Sequence, residues 1–205
     1  LSKRFVIYSP QLLISPATMD LINKLHMDPN LQIDHRDLLL SPESVEDLMA
    51  YRKADLIYSI TPLSNHSTIC QPFQELEIAL VCREGHPRAD HLNSFEEVSR
   101  EGFTLYTSSD PNVKAFQQHG SDLMPERRIA FRSNSLIAIL TMINQSDLIG
   151  FVPKHALSYF SASFKFREII LPDPIPPVMA YMIYNRSSLN NPKFSEFITQ
   201  NTAVN

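Results

Sequence analysis

Glycine is scarce in this chain: Gly85, Gly102, Gly120 and Gly150 are the only four in 205 residues, and they stand singly. The phosphate-cradling patterns GxGxxG and GxxxxGK need several glycines in one loop, so neither is encoded and no nucleotide cofactor is expected. Cysteine is almost absent. Cys70 and Cys82 both lie in apolar, strand-like runs, which excludes a secreted disulfide scaffold and points to a reducing, cytoplasmic setting. No apolar run approaches the roughly 18 residues of a membrane span. The opening LSKRFVIYSPQLLISP lacks an apolar core followed by a small-residue cleavage site, so no membrane or export role is expected. Positive charge is also in deficit. With 18 Lys and Arg against 22 Asp and Glu, a formal charge of −4 and a pI near 6.0, the chain carries no electrostatic footprint for nucleic acid. Neither G-x-S-x-G nor HExxH occurs, so the commonest hydrolase signatures are missing and no enzyme is expected. The first residue is Leu1 rather than Met, and more chain is expected upstream.

What is present is a regular alternation. RFVIY (Arg4 to Tyr8) reads as a strand, and Leu13, Ala17, Leu21 and Leu25 then recur every four residues as one buried helical face. Leu31 to Leu40 reads as the next strand, followed by Ser41 as an N-cap, Pro42 at the first helical position, and Val45, Leu48 and Met49 facing inward. Asp55 to Ile60 is a third, buried strand. The pattern then repeats, with a strand at Phe103 to Thr107, a helix capped by Asp110-Pro111, and a strand at Arg128 to Arg132. A helix on Leu136, Ile139, Leu140 and Ile143 and a short strand ending at Pro153 follow. FKFREIIL and PVMAYMIY add two strands, and Asn191-Pro192 opens a last helix on Phe194, Phe197 and Ile198. This order implies two α/β lobes, each a mostly parallel sheet covered by helices.

Two kinds of candidate site follow. Cys82, His86 and His91 have zinc-ligand chemistry, but C-x3-H-x4-H matches no structural zinc spacing and Gly-His-Pro reads as a turn. A buried Cys82 with both histidines on the surface is expected, and no metal. The cluster Asp34 to Asp37 reads as solvated charge at a strand end, and Cys70 and Cys82 lack the basic neighbours of a redox pair. The second kind is a recurrence: Ser9, Ser41, Thr61, Thr107 with Ser108, and Ser133 with Asn134 and Ser135 each follow a strand directly. Such residues are preferred N-caps. At the carboxyl ends of parallel strands they also line the crevice where open α/β sheets bind small polar ligands.

The segments VEDLMAYRKADLIYSI, LEIALVCREGHPRA, FEEVSREGFTLYT and RSNSLIAILTMINQSDLIGFVP, closed by an aromatic helix, resemble the effector-binding domain of LysR-type transcriptional regulators over essentially the whole chain. The most specific pieces are LVCREGHP and the stretch from Ser133 to Pro153. Within the family the likeness is nearer to the subgroup of nodulation regulators and their LeuO-like relatives. Two loops depart from the family pattern: Lys53-Ala54-Asp55 where a glycine is usual before the Asp, and Asn144 to Gly150 in place of an A-G-x-G turn.

The resemblance implies a two-lobed, periplasmic-binding-protein-like (type 2) fold joined by two crossover strands. It assigns lobe I to residues 1–82 plus 185–205 and lobe II to residues 83–184, with a hinge at Val81, Cys82, Arg83, Ile183 and Tyr184. It implies a small-molecule effector held between the lobes by Ser9, Gln11, Ser41, Thr61, Ser108, Ser133 and Asn134, with Phe151 as an apolar wall. It further implies dimers, tetramers in the full-length protein, and DNA binding only through an N-terminal helix-turn-helix outside this chain. An exported solute-binding protein and an enzyme on the same scaffold are the alternatives. The strand-end residues are hydroxyls and amides rather than acid-base pairs, which disfavours the enzyme.

Overall fold

The computed structural model describes residues 3–37 and 42–202, and the chain divides into two compact units. Unit 1 comprises Leu1–Gln74 with Met179–Asn205, and unit 2 comprises Glu75–Val178.

In unit 1, β1 (Lys3–Tyr8) runs between β2 (Leu31–Arg36) and β3 (Leu56–Ser59), parallel to both, with Lys3 opposite Leu31 and Ile7 opposite Leu56. β10 (Val178–Asn185) lies antiparallel to β3, and β4 (Thr68–Leu76) closes the far edge, giving the order β2-β1-β3-β10-β4. Alternate residues of β1 serve opposite faces. Phe5 packs its ring 5.3 Å from Phe194 of α7 (Pro192–Thr202), while Tyr8 joins Val45 and Met49 of α2 (Pro42–Ala50) with Ile57 and Ile183. α1 (Pro16–His26) begins with a reciprocal capping box between Ser15 and Thr18 and buries Leu21 and Leu25.

In unit 2, β5 (Ile78–Arg83) is the central strand, antiparallel to β8 (Gly150–Pro153) on one side and β9 (Phe166–Ile169) on the other. β6 (Gly102–Tyr106) and β7 (Arg128–Ser133) form a parallel pair. Thr104 N–H donates to the Ile149 carbonyl at 2.9 Å and Ile149 N–H to Gly102 at 3.0 Å, so β6 is tied to the residue leading into β8. Leu80, Cys82, Val98, Phe103, Met124, Ile149 and Ile169 form the core. α4 (Pro111–Leu123) and α5 (Leu136–Gln145) are the long helices. α3 (Phe95–Ser99) and α6 (Lys154–Tyr159) are short ones.

The α/β class is as expected, but the strand pairing is not mostly parallel throughout: the sheet of unit 1 is mixed, and in unit 2 the β8-β5-β9 sheet is antiparallel beside the parallel β6-β7 pair. The strands on which the chain returns or enters, β10 and β5, run against their neighbours. The unit boundaries also fall elsewhere than expected. The chain leaves unit 1 inside β4, between Gln74 and Glu75, and returns between Val178 and Met179. Val81 and Cys82 are fully buried and hydrogen-bonded into the sheet of unit 2, opposite Glu168 and Arg167, and Arg83 pairs with Phe166. Ile183 pairs with Ile57 inside the sheet of unit 1, and the Tyr184 ring stacks edge-on against Phe194 at 5.1 Å. Of the five expected hinge residues, Val81, Cys82, Arg83 and Ile183 are thus paired in sheets with strands distant in sequence, and Tyr184 follows Ile183 in β10.

Candidate functional site

The parallel strands of each unit end in the polar residues singled out from the sequence. In unit 1, Ser9 follows β1, and its N–H continues the ladder by donating to the Arg36 carbonyl at 3.0 Å. Its hydroxyl is buried and donates to the Pro10 carbonyl at 3.0 Å. Gln11 reaches across to β2, donating from Nε2 to Asp37 Oδ2 at 2.9 Å. After β3, the buried Ser59 hydroxyl accepts from Thr61 N–H at 3.0 Å and donates to the Thr61 carbonyl at 2.9 Å, fixing the turn that carries Thr61. Ser41 lies outside the described residues.

In unit 2, Thr107 N–H donates to the Ser133 carbonyl at 2.8 Å, so the ends of β6 and β7 are locked side by side. The Ser108 hydroxyl accepts from Asp110 N–H at 3.1 Å, and Asp110 caps α4 by accepting from Asn112 N–H at 2.7 Å and Val113 N–H at 3.3 Å. The Ser133 hydroxyl accepts from Ser135 N–H at 3.0 Å, and Ser135 caps α5 by accepting from Ala138 N–H at 3.2 Å. Asn134, between them, is exposed. The capping role and the recognition role are compatible here: Ser108 and Ser133 use lone pairs on backbone donors, and among the described residues neither hydroxyl donates a hydrogen bond. The α5 N-terminus carries a neutral cap, so its positive dipole end is not offset by a carboxylate as that of α4 is.

Phe151 does not stand alone as a wall. Its ring packs 6.2 Å from Phe103 and 5.4 Å, edge-on, from Phe116, beside a small cavity of about 20 Å3 lined also by Phe95, His119 and Leu123. A residue that the sequence reading set aside as solvated charge is Arg36, at the end of β2. Its guanidinium lies 5.9 Å from the Tyr8 ring centroid and 3.0 Å from Asp34, placing a cation on the strand-end edge of unit 1.

The GHP turn departs from expectation. His86 is 5% exposed rather than on the surface, because both ring nitrogens are used. Nδ1 accepts from Arg88 N–H at 3.0 Å, which leaves Nε2 to donate to the Asp147 carbonyl at 2.9 Å. Buried Glu101 lies 3.5 Å from that ring and 2.5 Å from the Arg88 guanidinium, whose hydrogen bond holds its carboxyl below the usual carboxylate range. Arg83, bonded to Asp147 at 2.8 Å, likewise lowers that carboxyl. Burial pushes the Cys82 thiol up, the opposite of an activated thiolate. His91 is exposed, and among the described residues no three His, Cys, Asp or Glu side chains are placed to hold a metal ion.

Two α/β units with polar strand ends define a ligand-binding module of the periplasmic-binding-protein-like type 2 class. Residues 6–203 match the LysR substrate binding domain family, and the chain belongs to that family, the effector-binding module of LysR-type transcriptional regulators. It is 36% identical over 198 residues to the HTH-type transcriptional regulator YbdO of Escherichia coli, covering 97% of this chain and 66% of that protein. The regulator YbeF of the same organism is 23% identical over 158 residues, of which the chain spans 50% of the length. Among solved structures, the fold is similar to the Synechocystis CcmR regulatory domain in complex with 2-PG (TM-score 0.77, 15% identity, 99% of each chain). It is also similar to the BenM effector binding domain with its effector benzoate (TM-score 0.71, 17% identity, 98% of this chain and 92% of that one).

Proposed function

We propose that this domain senses a small polar effector through the strand-end groups Ser9, Gln11, Ser41 and Thr61 of unit 1 and Ser108, Ser133 and Asn134 of unit 2. The observation that carries this reading is the locked pair of β6 and β7 ends, which sets two hydroxyls, an exposed amide and a neutrally capped helix N-terminus beside one another. That arrangement offers donors to an oxygen-rich or anionic ligand. The ligands named for CcmR and BenM, 2-PG and benzoate, support a small molecule of this size class.

In this reading the effector acts by population shift. A ligand that binds one state of the domain more tightly than another draws the protein toward that state, and a coupling of about 1–3 kcal/mol changes the affinity at a distant site several-fold to a hundredfold. The distant site is an N-terminal helix-turn-helix, and self-association into dimers, and tetramers in the full-length protein, transmits the change. The domain performs no catalysis of its own, and it works in the cytoplasm. Among the described residues no helix is long and apolar enough to cross a membrane. A thermal-shift screen of small carboxylates, including benzoate, together with sugar phosphates and amino acids, tests the reading, because a ligand selective for the native state raises the unfolding temperature. A saturable rise that shrinks in Ser133→Ala supports it. A hit whose effect is untouched by Ser9→Ala, Thr61→Ala, Ser108→Ala and Ser133→Ala overturns it.

A further inference from the structure

Two surfaces with opposite charge remain outside the effector reading. The first is the turn after α2. Lys53 N–H donates to the Leu48 carbonyl at 2.9 Å and Arg52 N–H to Met49 at 3.2 Å, the paired closure whose left-handed position normally falls to glycine. Here that position is Arg52, with φ at 52°. Beside it Tyr51 is 72% exposed, and the Lys53 ammonium lies 5.8 Å from the Tyr51 ring centroid. Among the described residues neither Arg52 nor Lys53 forms an ion pair. Unit 1 therefore presents an aromatic ring and two exposed cations on one tight turn.

The second surface is a groove in unit 2 holding about 280 Å3, close to the lower bound of roughly 300 Å3 typical of binding pockets. Ile170, 71% exposed, and Leu171 and Ile175 supply its apolar floor. Glu75, Glu77, Glu168 and Asp173 rim it against one cation, Lys154, and none of these four carboxylates forms an ion pair among the described residues. The occupant that fits must bring apolar surface and at least two positive charges. The Tyr51-Arg52-Lys53 turn of another copy brings both.

We propose that this turn of one copy docks into the acidic groove of a second copy, with the Tyr51 ring over Ile170 and the two cations among the carboxylates. The turn belongs to unit 1 and the groove to unit 2, so a pair of copies is held by one such contact or, about a two-fold axis, by two reciprocal ones. The contact is small and charge-driven, which makes it weak and sensitive to salt.

Sedimentation velocity of the 205-residue chain over a dilution series, at low and at high salt, tests this. The wild type is expected to gain mass with concentration at low salt and to lose that gain at high salt. Arg52→Glu with Lys53→Glu, and separately Glu77→Lys with Glu168→Lys, each weaken the association at least tenfold. Mixing the two variants restores it, because each supplies the surface the other has inverted. Tyr51→Ala, which leaves every charge in place, weakens it as well. Wild type at a single mass throughout, association unchanged in either inverted variant, or a mixture that fails to recover overturns the proposal. Loss in the groove variant alone assigns the groove to a different occupant and overturns it too.

Discussion

At Gly150 the sheet of unit 2 has no room for a side chain: a Cβ there would stand 2.1 Å from Thr104 Oγ1 and 3.1 Å from Ile143 Cδ1. Gly150→Ala is expected to cost about 1–3 kcal/mol in denaturant unfolding, and Thr104→Ala in the same chain to recover part of it, because the two positions share one space. Arg52 is the converse case. Left-handed strain of about 1–2 kcal/mol, less the greater unfolded-state entropy of glycine, predicts that Arg52→Gly stabilises the chain by roughly 0.5–1 kcal/mol. This is also where a departure from the family pattern takes physical form, since the glycine-less run Arg52-Lys53-Ala54-Asp55 still closes α2 in a geometry suited to glycine.

Glu101 gives a pH dependence of definite sign. Its folded carboxyl, held down chiefly by the Arg88 hydrogen bond, titrates below its ordinary value of 4.5. The unfolded chain therefore takes up the proton first as pH falls. The stabilisation is complete above that ordinary value and is lost as pH drops through the depressed one. Asp55 acts oppositely: burial raises its carboxyl, so its charge is a cost at neutral pH that acidification relieves. Urea midpoints measured against pH should decline less steeply below about pH 5 in Glu101→Gln than in wild type. Equal slopes would remove Glu101 from the account.

Among the elements, those whose causes are local were legible. The periodicity of Leu136, Ile139, Leu140 and Ile143 gave α5, which buries all four, and Asp110-Pro111 gave the start of α4. Asp110→Ala is expected to cost about 0.5–2 kcal/mol by orphaning two N–H donors at that helix end, as thermal unfolding would show. β4 was missed because TICQPFQEL contains Pro72 and no clean alternation. Such a strand is tolerated at a sheet edge, and that is where β4 lies. α6, six residues long, is too short for periodicity to mark. The burial of His86 was hidden for a different reason, since the carbonyl that anchors it belongs to Asp147, 61 residues away. The expected break at Cys82 failed for the same cause: β5 is bound on both sides by strands from residues 150–153 and 166–169, and no local pattern reports that pairing.

At the scale of the whole chain, the order of strands and helices and the polar residues at strand ends carried the functional reading, because a sheet's topology fixes which end of a strand carries a ligand. What the order could not show is how those residues are used. Ser9 turns its hydroxyl to Pro10, Gln11 is bonded to Asp37, Phe151 is packed between Phe103 and Phe116, and Arg36 adds a cation at the same edge. Of the candidates, Ser133 and Asn134 sit where β7 meets the neutrally capped N-terminus of α5. Isothermal titration of the strongest thermal-shift hit, into wild type and into Ser133→Ala with Asn134→Ala, tests the central claim most directly. Two lost hydrogen bonds at about 0.5–1.5 kcal/mol each predict affinity weakened about fivefold to a hundredfold, in a variant that still unfolds cooperatively. Equal affinity in the two proteins would contradict it.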